Sequence, residues 1–158
     1  MEWNYLNPPG LPDWSSFFSQ VVCVEAAGVK QVFVAGQVGV EVGKQLVGDG
    51  GFAAQTERAF DNVGTALASA GGAWADVAML TIYVVGYDGS QAPIIGQAIR
   101  ARFAAGRLPA CSLVGVQVLA EPTFLIEVEA VAVMRAGDRC QPGAEGTLPD
   151  EQDVSGGS

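Results

Sequence analysis

The chain has 158 residues, about half of them apolar, a net charge of -9 and no histidine. That length suits one domain with a sizeable core, and the charge repels phosphate backbones, so nucleic acid is excluded as an expected partner. Without imidazole there are no Ser–His or Cys–His dyads and no histidine metal ligands; acid–base work falls to carboxylates, Lys, Tyr, Cys or a bound water.

Residues 1–14, with Pro8, Pro9 and Pro12, are expected to form an extended arm. The β-branched alternation of FFSQVVCVEA (17–26) predicts a strand, AGVK a turn, and QVFVAGQVGV (31–40) a second strand. Gly36 interrupts that strand, which predicts a bulge or a close approach of a ligand to the backbone. Ala35, Gly36 and Gln37 could present amides there to an oxyanion or carboxylate. After a loop over 43–51, Phe52, Thr56, Phe60, Val63 and Leu67 recur at helical spacing up to a Gly-Gly stop. An apolar strand is predicted over 76–88 and a second helix over 89–106, with Pro93 in its first turn and Ile95, Ile99 and Phe103 facing inward. Two last strands follow, over 111–119 and 123–134. Residues 136–158 are Gly-, Pro- and acid-rich and are expected to be a disordered acidic tail behind a domain of residues 1–135.

The succession is β-β-α-β-α-β-β, an α+β sheet with two helices on one face. Its strands are apolar at odd and even positions alike, so the uncovered face should be covered by another subunit. Gly and polar residues interrupt every apolar run, and the start lacks the basic and apolar blocks of a signal peptide; no membrane contact and a cytoplasmic location are expected. Cys23, Cys111 and Cys140 are too few and too scattered for a disulfide framework or a zinc site, and no metal or cofactor is expected.

Two residues stand out for chemistry. Glu127 lies in LIEVEA, where Leu125, Glu127, Glu129, Val131 and Val133 share one face of a strand. A carboxylate there loses solvation unless it borders a wet cleft, and desolvation would suit it to proton transfer near neutrality. Its competing role is a structural acceptor of backbone N–H groups. Cys111, where a turn enters a strand, has no base to activate it and is read as a small apolar wall residue.

The ordered stretches FFSQVV, VFVAGQVG, GFAAQTERAFDNVGTALASAGG, DVAMLTIYVVGYD, RLPACSLVGV and FLIEVEAVAV, spanning about residues 14–134, resemble the Rid/YjgF family of reactive enamine and imine deaminases. The resemblance implies a chorismate-mutase-like fold and a homotrimer with three ligand clefts between subunits. It also implies that Glu127 orients water and that Gly36 borders the cleft. Three positions depart from the family: Cys111 replaces an arginine that pairs with the substrate carboxylate, Gly96 aligns with a common asparagine, and Phe18 replaces a tyrosine. These imply a small-molecule enzyme whose substrate is bulkier than an imino acid and need not carry an α-carboxylate. The alternative is a non-catalytic trimer that binds a ligand or partner.

Overall fold

The computed structural model describes residues 1–137; most of the expected tail, with Cys140, lies outside them. Six strands and two helices form an α+β structure. The strands are β1 (Glu2–Leu6), β2 (Val21–Ala26), β3 (Val29–Val38), β4 (Val77–Val85), β5 (Ala110–Val116) and β6 (Ile126–Arg135). The helices are α1 (Phe52–Ser69) and α2 (Ala92–Arg102), and a 3₁₀ turn at Trp74–Asp76 precedes β4. The sheet order is β1-β2-β3-β6-β4-β5. Only β4 and β5 run parallel, as their connection through α2 requires. Among the described residues no helix is long and apolar enough to cross a membrane.

Local chemistry explains these elements. Ala27 and Gly28 both have positive φ, and this two-residue turn joins β2 to β3 with the twist a hairpin needs. On α1 the expected stripe is buried, with Thr56, Phe60, Val63 and Leu67 against the sheet. α2 starts at Ala92 with Pro93 in its first turn and ends at Arg102, before Phe103, whose backbone is extended, so it is shorter than the periodicity predicts.

The arm over 1–14 is extended, but part of it is a strand: β1 pairs with β2 from Glu2↔Glu25 to Leu6↔Val21. Phe17 and Phe18 precede β2 in a turn in which the Trp14 carbonyl accepts both of their N–H groups. Lys30 lies in a strand, not in the turn that AGVK suggests. Its ammonium is fully buried and donates to the carbonyl of Ala70, the C-cap of α1, at 2.6 Å, with Glu25 at 3.7 Å. A cation at a helix C-terminus meets the negative end of the macrodipole, which offsets part of its desolvation.

The core lies between the helices and one face of the sheet. Ile126, Val128, Ala130 and Ala132 of β6, Leu80, Ile82 and Val84 of β4, and Val32 and Val34 of β3 meet α1 and α2 there. The alternate residues form a face that neither helix covers.

Candidate active site

The uncovered face contains Phe33 from β3, Met79, Thr81 and Tyr83 from β4, and Glu127, Glu129, Val131 and Val133 from β6. Antiparallel pairing sets Tyr83 opposite Glu127 and Thr81 opposite Glu129. The Tyr83 hydroxyl donates to Glu129 Oε2 at 3.2 Å. A cavity of about 210 Å³ opens on this face, lined by Phe33, Met79, Thr81, Glu129 and Val131 together with Val34 and Ala130. Glu127 lies outside that lining, two residues before Glu129 on the same strand.

On its other side β6 pairs with β3, where the register shifts between Val34 and Gln37 so that Ala35 and Gly36 together oppose Glu129. This is a β-bulge. The Glu127 side chain lies over Gly36: a Cβ built on that glycine would overlap Oε1 and come within 2.6 Å of Cδ. Gly36 is therefore a glycine for want of space. What approaches its backbone is a side chain of the same chain.

Burial raises the Glu127 carboxyl above the usual carboxylate range, and the negative charge of Glu129 adds to the effect. The charge of Glu129 is also the main reason the Tyr83 phenol is pushed up, followed by burial, the hydrogen bond to Glu129 and the charge of Glu127. Two carboxylates and a phenol thus share one side of the sheet, and the charge of Glu129 acts on both Glu127 and Tyr83.

The other three expected residues lie elsewhere in the chain. Cys111 pairs in register with Leu80 on β5, the edge strand, so β4 separates it from β6. Three residues along the strand and two strand spacings place it about 14 Å from the level of Glu127. The residue is exposed, yet partial burial of its thiol pushes the pKa up, opposite to what a nucleophile needs. Phe18 is in the turn before β2, and Gly96 is on α2, where Arg100 Nη1 comes within 3.0 Å of the place a Cβ would take. Of the five residues, the chain's fold brings together only Gly36 and Glu127. Tyr83 was not among the expected site residues, because its place beside Glu127 depends on β4 pairing with β6, which no local pattern encodes. Among the described residues no cluster of three or more His, Cys, Asp or Glu could hold a metal ion.

The family model described as endoribonuclease L-PSP matches residues 12–134. Among solved structures, the chain is similar to YyfB of Yersinia pestis, described as a conserved Rid family protein of unknown function. The two are 33% identical over 85% of this chain and 100% of that one, with a TM-score of 0.64. A YjgF/YER057c/UK114 family member from Mycobacterium tuberculosis is 28% identical over 84% of this chain and all of the other, at a TM-score of 0.63. RidA from an Antarctic Psychrobacter is 23% identical over 83% and 99%, at 0.70, a likeness of fold. No curated protein matches.

Proposed function

Because the chain belongs to the Rid/YjgF family, described as endoribonuclease L-PSP, we propose that it is a cytoplasmic homotrimeric enzyme that hydrolyses, or moves a proton on, an enamine, imine or related carbonyl compound, with Glu127 as its working carboxylate. One observation carries this reading. Glu127 is fixed over Gly36 on the face the helices leave open, and burial there brings its carboxyl closer to neutrality. A carboxylate of ordinary pKa would be a weaker base.

For an iminium substrate, Glu127 takes a proton from water as the water oxygen bonds to carbon and the C=N pair moves to nitrogen. The protonated Glu127 returns that proton to nitrogen. The C–N bond then breaks as the new hydroxyl gives its proton to Glu127, leaving a carbonyl compound and an amine. No step needs a metal or a thiol.

Selectivity follows from what surrounds the site. Tyr83, Glu129, Phe33 and Met79 offer no cation to a substrate carboxylate, and Cys111 cannot form the bidentate pair that an arginine makes. The substrate is therefore a bulkier imine or enamine without an α-carboxylate, held at a junction where Cys111, Phe18 and Gly96 of the assembled trimer contribute wall. The net charge of -9 gives ribonuclease action little support.

Incubation with a panel of cyclic and acyclic imines, following carbonyl release, tests this reading. Carboxylate-free imines should be turned over faster than 2-aminoacrylate. No turnover of any member, with thermal-shift binding of some, would instead favour a non-catalytic ligand-binding trimer. That second reading draws on the cavity lying at Glu129 and not at Glu127.

A further inference from the structure

Along β3, Val32 and Val34 face the helices, and simple alternation would send Gln37 to the uncovered face. The bulge adds one residue and reverses this. Gln37 is turned into the interior, 3% exposed, beside Gln20, which is 2% exposed. Carboxamides buried so deeply are tolerated only with partners.

Their partners form a chain through the bulge. Gln37 Nε2 donates to the Ala35 carbonyl at 3.0 Å and to Gln20 Oε1 at 2.8 Å. The Ala35 N–H donates to the Gln20 backbone carbonyl at 3.0 Å. Gln20 is tied in turn to the N-terminal arm: its Nε2 donates to the Pro12 carbonyl at 2.7 Å and its N–H to Asn7 Oδ1 at 3.0 Å. Ala35 is thus held at both its N–H and its C=O, and the next residue is Gly36, over which the Glu127 carboxylate lies.

We infer that Gln37, supported by Gln20, is the positioning residue of this site: its carboxamide locks the β3 bulge and so fixes where the Glu127 carboxylate sits. Without the amide, the Ala35 carbonyl loses its side-chain donor and Gln20 Oε1 loses its partner. Regular pairing then competes with the bulge, and in that register the contact between Gly36 and Glu127 is lost. The N-terminal arm, through Pro12 and Asn7, becomes part of the support of a carboxylate on β6.

Charged and titratable groups near Glu127 are few. On its own strand there is Glu129, and on β4 there is Tyr83. The bulge residues of β3 carry no charge, and both helices pack on the opposite face. Displacing Glu127 from Gly36 therefore changes mainly its solvation.

The inference rests on the reading of Glu127 as the working carboxylate, but its test needs no substrate. In the full-length protein with ¹³C-labelled Glu, the Glu127 carboxyl is titrated by NMR. Gln37→Leu should move its midpoint down, towards the ordinary carboxylate range. Gly36→Ala, which displaces the carboxylate directly, should move it the same way. Lys30→Met loosens the cap of α1 and lowers the melting temperature, yet should leave the Glu127 midpoint in place. A wild-type midpoint in Gln37→Leu would overturn the inference, as would an equal shift in Lys30→Met. If Gln37→Leu does not fold, Gln20→Met decides: a downward shift supports positioning, and no shift refutes it. Failure of the catalytic reading would appear separately, as turnover that survives Glu127→Gln.

Discussion

Gly36 and Glu127 are not independent residues. The space a methyl group would fill at Gly36 holds the Glu127 carboxylate, so Gly36→Ala forces one of them to move. Overpacking of this kind costs about 1–3 kcal/mol, and a lower urea midpoint with an unchanged m-value would register it. The raised Glu127 carboxyl also has a sign in stability. The native state binds this proton more tightly than the unfolded chain does, so stability falls as pH rises from the ordinary value of 4.5 through the raised one. Glu127→Gln should flatten that decline, seen as a smaller drop in melting temperature across the interval. Glu129→Gln removes the leading cause of the Tyr83 shift, so the phenol should titrate nearer 10.0 by ultraviolet difference absorption. An unmoved phenol would mean that Glu129 does not hold it. Cys111→Ala should leave turnover within about threefold of wild type, because a thiol of raised pKa serves as wall and not as nucleophile.

At the scale of elements, α1 was legible because its stripe has a period that only a helix satisfies. The same holds for the bulge at Gly36, where a glycine interrupts a β-branched run. β1 was not legible as a strand: EWNYL is short and followed by prolines, and it becomes a strand only because β2 offers an edge to pair with. Lys30 misleads for a similar reason. A lysine after AGV reads as turn, and only the α1 C-terminus arriving beside it gives the buried ammonium a carbonyl to hold. Lys30→Met should therefore cost about 2–3 kcal/mol in urea unfolding, the worth of a charged hydrogen bond whose carbonyl acceptor stays buried. A cost near zero would show that the cap is dispensable. In the site, Glu127 was legible as a polar residue in an apolar strand. Tyr83 and the Gln20–Gln37 pair were not, since each acquires its role from a partner distant in sequence.

For the whole molecule, the face the helices leave open is too apolar for water. Phe33 is 42% exposed and Met79 40%, and along edge strand β5 six of seven residues are exposed. The proposed homotrimer would cover such surface, and Phe33→Glu should then give monomers by light scattering while the isolated fold persists. The measurement that most directly tests Glu127 as the working carboxylate is kcat/KM of Glu127→Gln on the best carboxylate-free imine, with trimer formation checked in the same preparation. The variant keeps the size of the side chain and most of its hydrogen bonds but cannot take a proton, so the account predicts an intact trimer and a fall of about 10²–10⁴. A trimeric Glu127→Gln protein within twofold of wild type would contradict it.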